Sequence, residues 1–298
     1  MTKNLLHKYV TIATLKQILA GAIRMTQPSA FNDPFELLPE IVVRKGFPER
    51  PVPLSFDIRA LRREIQVAVS GPLPDDCTSS DFISRQILDD LNKHVGILCL
   101  SKSPNSILMW SHYADQYQGA VISFDADGEF FADQIPVEYV NERPKIPIET
   151  YTSGPIPLAE LCNKSKEWWY EQEVRIARLL KECKKTDQVD SRGFSVFTAE
   201  LPRDAIVSIA LGERTPIAQQ KEIYTLIKPT SIGLTLSAVD NVGFGFRQER
   251  ILFQGPHRNP TISPRTAHIF SETNTLFGEL ARTLIRVHPA SPIVNKTA

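Results

Sequence analysis

Short apolar runs alternate with helically spaced apolar positions over the first 252 residues, and the alternation predicts strands and helices in mixed order. Residues 5–10 read as a strand. Thr11 or Thr14 then caps a helix that carries Leu15, Ile18 and Leu19 on one face and stops at Gly21. A strand pattern resumes at 22–26. Residues 28–36 place Pro28, Asn32, Asp33 and Pro34 between apolar segments, which predicts a structured loop. Residues 44–54, rich in proline and charge, read as an exposed excursion. Ile58, Leu61, Ile65 and Val69 have helical spacing, as do the apolar positions of 81–91. A helical insertion is therefore expected near 55–95, with 71–74 as its linker.

Residues 95–101 are continuously apolar, the pattern of a central strand covered on both faces. Ser103 and Pro104 read as a helix start, and the helix carries 107–115 and ends near Gly119. Strands are expected at 120–125, 137–140, 168–176, 194–199, 205–211, 231–239 and 250–253, and helices at 216–228 and 276–284. The charged stretch 181–190 reads as a loop. The fold class that follows is α+β, or α/β, with a mixed central sheet flanked by helices, in a single domain over 1–252. Proline breaks after that point make 253–298 a C-terminal appendage.

One strand stands apart. Alternation along 168–176 puts Tyr170, Gln172, Val174 and Ile176 on one face and Glu171, Glu173 and Arg175 on the other. Two carboxylates and a guanidinium in one row are costly to bury for packing alone. Lining a cleft, they would hold hydroxyls or stabilise a developing cation. The competing reading is a solvated strand face with one Glu–Arg ion pair, which contributes little.

Composition narrows the field. Lys+Arg and Asp+Glu both number 34, so no global basic field gathers nucleic acid or anionic membrane. The four cysteines show no CxxC or Cys/His ligand spacing, so no structural zinc site is expected. The N-terminus lacks the apolar run of a signal peptide, and no stretch approaches the roughly 20 apolar residues of a membrane span. The expectation is a soluble, cytoplasmic protein without a membrane partner.

Four segments occur in an order that resembles a known pattern. They are Lys8-Tyr9 before a helix, Phe31-Asn32-Asp33-Pro34-Phe35-Glu36, Cys99-Leu100-Ser101 with Met109-Trp110-Ser111-His112-Tyr113-Ala114 and Gly119, and Trp169-Tyr170-Glu171-Gln172-Glu173-Val174-Arg175. Ile209-Ala210-Leu211-Gly212 continues it. The chain resembles a bacterial uncharacterised family, domain of unknown function twenty-nine seventy-one, over about residues 5–252. Val10 departs from it, since the family often has arginine after Lys-Tyr. More distantly, the layout is similar to the ADP-ribosyltransferase superfamily. There an early strand carries a basic or aromatic residue, a middle strand ends in serine, and a late strand carries Glu-x-Glu or a single glutamate. That resemblance implies Lys8 or Tyr9, Ser101, and Glu171 with Glu173 as the corresponding positions.

The implied activity is NAD-dependent ADP-ribosyl transfer or NAD hydrolysis, in a toxin or phage-defence effector. NAD is the substrate, a nucleotide small molecule. The acceptor is a protein or a nucleic acid, and no metal is expected. The chemistry passes through an oxocarbenium-like transition state, which requires negative charge beside the ribose. Glu173 would stabilise the cation and Glu171 would orient or deprotonate the acceptor. Tyr9 would stack on nicotinamide, with Lys8 beside it, and Ser101 would bond a ribose hydroxyl. For Tyr9 a core tyrosine, and for Ser101 a turn serine, compete with these roles. Trp110 and Tyr113, in a stripe with Ala114 and Tyr117, read as core or as a nucleotide-binding wall. His112 lies off the stripe and is an acid/base or phosphate-contact candidate. Asn32 and Asp33 form a turn, and Asp33 and Glu36 would face the same cleft as Glu173, as would Arg175. Two other classes stay open. One is a metal-dependent hydrolase or nuclease using Asp33, Glu36, His112, Glu171 and Glu173. The other is a non-catalytic protein-binding module in which the glutamates pair with Arg175.

Overall fold

The computed structural model describes residues 4–42, 52–58, 63–69, 81–148, 156–252 and 260–294. In chain order its elements are β1 (Leu5–Val10), α1 (Ile12–Leu19), β2 (Ala22–Met25), β3 (Glu40–Val42), β4 (Val52–Ile58), β5 (Arg63–Val69), α2 (Asp81–His94) and β6 (Val95–Ser101). Then come α3 (Ile107–Tyr113), β7 (Ala120–Asp125), β8 (Ile135–Pro136), β9 (Glu138–Val140), β10 (Lys145–Pro147), β11 (Ile156–Pro157), β12 (Asn163–Ser165) and β13 (Glu173–Leu179). The chain continues with β14 (Lys184–Val189), β15 (Ser195–Glu200), β16 (Ile206–Leu211), α4 (Ile217–Ile227), β17 (Gly233–Val239), β18 (Phe246–Leu252), α5 (Ala267–Phe270), α6 (Leu276–Val287) and α7 (Ser291–Val294). The class is α+β, as the pattern predicts. The chain divides into a first unit of Met1–Gly21, Ser103–Ala126 and Pro202–Ala298, and a second of Ala22–Lys102 and Asp127–Leu201.

In the first unit the strand order is β18-β17-β16-β7-β1. Only β16 and β17 run parallel, and α4 supplies the crossover that a parallel pair needs. The sheet is therefore mixed. Helix α1 begins where expected: the Thr11 hydroxyl accepts the Thr14 N–H at 3.2 Å, and Ile12, Leu15 and Ile18 are buried at helical spacing. Helix α3 begins later than Ser103. Its cap is Ser106, whose hydroxyl accepts from the Met109 N–H. The helix ends at Tyr113, and Asp115, Gln116 and Tyr117 follow at φ 48°, 50° and 72°. This left-handed run takes Tyr117 off the helix and breaks the predicted stripe after Ala114.

The described part of the C-terminal segment differs from a loose tail. Ala267, His268, Ile269 and Phe270 are all buried, and Gln220 of α4 meets His268 at 3.1 Å. Arg265 pairs with Glu213 at 3.1 Å.

In the second unit, β13 lies between β6 and β8, antiparallel to both. A second sheet runs β14-β15-β2, and shorter pairs join β3 to β10 and β9 to β12. Leu37, Ile41, Ile83, Ile87, Leu91, Ile97, Leu158, Leu161 and Ala177 belong to one core cluster.

Three expectations are corrected here. Residues 57–58 and 63–69 are not helical, because they belong to β4 and β5, which form an antiparallel pair. Ile65, Val67 and Val69 alternate and are β-branched, a period-two signal that overrides the weaker helical spacing. Among the described residues of the expected insertion, only α2 is a helix. Residues 184–189, read as loop, pair with β15 as an exposed edge strand, where backbone bonding suffices without apolar side chains. Residues 166–171 form a 3-10 turn rather than strand, Gln172 is left-handed at φ 45°, and the strand starts at Glu173. Of the expected excursion at 44–54, residues 52–54 lie in β4, while the rest of it and the linker at 71–74 lie outside the described residues.

Candidate functional site

The acidic row does converge, through a route the alternation alone does not give. Glu171 closes the 3-10 turn, Gln172 reverses the backbone, and Glu173 and Arg175 point inward from β13. Glu171, Glu173 and Arg175 are buried, together with Glu36 from the Asn-Asp-Pro-Phe-Glu segment. Lys164 joins them from β12 and is also buried.

Arg175 reaches Glu173 twice, from Nε at 2.9 Å and Nη2 at 3.3 Å, and its Nη2 lies 2.5 Å from Glu36 Oε1. Lys164 Nζ lies 2.7 Å from carboxylate oxygens of both Glu171 and Glu173 and 3.8 Å from Glu36. It also sits 5.5 Å from the centre of the Trp168 ring. The Tyr139 hydroxyl accepts the Glu173 N–H at 2.8 Å. Among the described residues three carboxylates thus face two cations, one negative charge in surplus.

Proton affinities follow from that imbalance. Burial raises Glu36, and the attraction of Arg175 and Lys164 does not offset it. Burial also opposes ionisation of Glu173, but Arg175 and Lys164 overcome it and hold this carboxyl well below the usual range. Burial works against the Lys164 charge, while Glu173, Glu36 and Glu171 raise its affinity for the proton overall. Burial pushes Tyr139 up to about 12. Glu36 is the natural seat for a proton that neutralises the cluster. Its two oxygens, although in ion-pair range, accept no well-directed hydrogen bond among the described residues.

Ser101, the last residue of β6, is the cross-strand partner of Glu173. Its hydroxyl donates to the Glu171 backbone oxygen at 2.6 Å. Asp33 serves the turn, accepting the Phe35 N–H at 2.9 Å, and Asn32 is exposed beside it. A cavity of about 150 Å³ opens on the second unit, with Phe35, Leu38, Arg143, Leu161 and Asn163 among its walls. Lys164 belongs both to this wall and to the buried cluster. Arg143 stacks over Phe35 at 5.7 Å while donating to the Leu38 and Pro39 carbonyls.

The remaining candidates, Lys8, Tyr9, Trp110, His112 and Tyr113, belong to the first unit. The Tyr9 hydroxyl donates to the Ser103 carbonyl at 2.9 Å and accepts the Ser106 N–H at 3.0 Å, which fixes the start of α3. Its ring meets Trp110 edge-on at 5.6 Å. Trp110 is 1% exposed, and its indole N–H has no hydrogen-bond partner among the described residues. His112 is exposed, 6.2 Å from the half-buried Tyr113 ring. Lys8 is half-buried on β1.

Lys164 and Tyr139 escaped the sequence reading. A lone lysine in Cys162-Asn163-Lys164-Ser165 has no period that signals burial. The only cue was arithmetic, since Glu36, Glu171 and Glu173 outnumber Arg175 and demand another cation. Among the described residues no three His, Cys, Asp or Glu side chains are grouped to hold a metal ion. No described helix is long and apolar enough to cross a membrane.

Residues 109–176 match the model of a family described as a protein of unknown function (DUF2971), in agreement with the resemblance drawn from the Met-Trp-Ser-His-Tyr-Ala and Glu-x-Glu segments. No curated protein and no solved structure matches the chain.

Proposed function

We propose that the chain is an NAD-consuming enzyme of ADP-ribosyl-transfer type, with Glu173 as the carboxylate that stabilises the developing ribosyl cation. The observation that supports this most is the pairing of Ser101 with Glu173. The serine that ends a middle strand stands directly across from the glutamate that opens a late strand. Residues directly opposite share a sheet face, so one ligand would meet both positions. Glu173 remains ionised because Arg175 and Lys164 hold it so, and a fixed, ionised carboxylate needs little reorganisation when positive charge develops. Lys164 connects it to the cavity wall, and displacement of its Nζ is the movement that would open the carboxylates to a ribose. Glu171 is the residue assigned to the acceptor, a protein or a nucleic acid. In a cell such an activity depletes NAD or modifies a target in the cytoplasm, the work of a toxin or a phage-defence effector.

The test is incubation with NAD, with and without cell extract, while free nicotinamide is measured. Release is expected from the native protein and is expected to vanish in Glu173→Gln. Absence of release in every extract, together with no NAD-induced shift in thermal unfolding, would reject the proposal.

A second reading draws on the closure of the cage. The Glu171 and Glu173 side chains are only 4% and 3% exposed, and both are engaged by Lys164. On this reading the cluster is structural, and the chain binds a partner without catalysis. Glu173→Gln would then change stability and leave nicotinamide levels untouched.

A further inference from the structure

Helix α6 is amphipathic with its faces reversed. Gly278 and Ala281 are its buried residues, and a Cβ on Gly278 would lie 1.9 Å from the Thr273 carbonyl oxygen. A small residue is obligatory at that contact. Leu276, 80% exposed, Leu280, 52%, and Val287, 62%, point the other way, while Phe277, 42%, and Ile285, 38%, border the packed face. At about 100° per residue, Leu276, Leu280, Leu284 and Val287 form one continuous stripe. Scattered apolar residues on a surface need no explanation, but a contiguous stripe marks a contact.

We propose that this stripe is the interface with a second copy of the same chain, the two helices lying antiparallel across a two-fold axis. Charge complementarity selects that occupant. Glu279 and Arg286 are seven residues apart, so both flank the stripe on the same side. In an antiparallel pair, a flank meets the same flank of its mate, running the other way. Glu279 of each copy then faces Arg286 of the other, giving two identical ion pairs. The midpoint between Glu279 and Arg286 falls within about one residue of the midpoint of the Leu276-to-Val287 stripe, so apolar and ionic contacts centre together. A parallel pair would set this flank against the flank that each helix turns toward its own fold. A lipid surface would accept the leucines but has no use for Glu279.

Sedimentation of the full chain over a range of concentrations tests the proposal. A reversible dimer is expected, weakened at least about tenfold in Leu280→Asp. Glu279→Arg and Arg286→Glu should each weaken it as well, by placing like charges opposite. The double variant Glu279→Arg/Arg286→Glu should restore it, because the swap recreates both pairs. Leu280 is half exposed, so its replacement is compatible with folding, and circular dichroism verifies that. A native chain that stays monomeric at every concentration would overturn the proposal. So would a dimer unaffected by Leu280→Asp, a double variant as weak as the single ones, or a monomer that binds anionic phospholipid vesicles through the stripe.

Discussion

Ser101 and Glu173 face each other across β6 and β13, yet their side chains serve different partners. The Ser101 hydroxyl donates to the Glu171 backbone at 2.6 Å, while the Glu173 carboxylate takes Arg175 and Lys164. The serine therefore fixes where the 3-10 turn ends. Ser101→Ala leaves a buried carbonyl without its donor and is expected to destabilise the fold by about 1–3 kcal/mol in denaturant unfolding. Ser101→Thr keeps the hydroxyl and should recover part of that loss.

The surplus carboxylate makes the three glutamates unequal. Removing the charge of Glu173 strips Arg175 and Lys164 of their shared partner, and Glu173→Gln should cost about 3–5 kcal/mol. Glu36 is already driven toward its neutral form by burial. Glu36→Gln replaces a neutral acid with a neutral amide and should cost under about 1.5 kcal/mol. Equal losses for the two variants would show that Glu36 carries a full charge in the fold.

Tyr9 offers a test that separates positioning from ligand contact. Its hydroxyl joins Ser103 and Ser106 where α3 starts. Tyr9→Phe removes both bonds and should lower stability by about 1–3 kcal/mol. If the ring also stacks on nicotinamide, the phenylalanine retains that face, and the KM for NAD should be nearly unchanged. A leucine in its place should raise it.

His7 provides a pH signature. It is buried on β1 with Nδ1 3.0 Å from the Ser123 hydroxyl, and burial lowers its pKa from 6.5 to about 4. Between those values the unfolded chain binds the proton and the folded chain does not. The stabilisation is complete above pH 6.5 and is lost as pH falls through that window. The slope is up to about 1.4 kcal/mol per pH unit. His7→Gln, which still offers a partner to Ser123, should flatten the curve of unfolding free energy against pH over this range.

Many strand positions were readable because the strands announce themselves locally. The apolar run 95–101 and the capped helix after Thr11 are where continuous apolarity and capping place them. The failures share a cause. Residues 57–69 carry a helical and a strand period at once, and only pairing with a neighbouring strand decides between them. The edge strand 184–189 has no apolar signature, because backbone pairing with β15 and the Thr186 hydroxyl, rather than apolar packing, hold it. Within the site, Glu171, Glu173 and Arg175 were visible as a charged row. Lys164 was not, since a distant cation that balances such a row leaves no trace in local spacing. The Ser106 cap of α3 was masked by the stronger Ser-Pro signal just before it.

The buried ionic cage constrains how this chain can change over time. Glu36, Lys164 and the segment of Glu171, Glu173 and Arg175 come from three separate stretches of sequence, but they settle one electrostatic account in common. A lineage that loses Lys164 takes a cation away from both Glu171 and Glu173 in a dry interior, so loss of a carboxylate is expected to accompany it. These positions should therefore drift as a block across related sequences, with lysine at 164 present wherever glutamate stands at both 171 and 173.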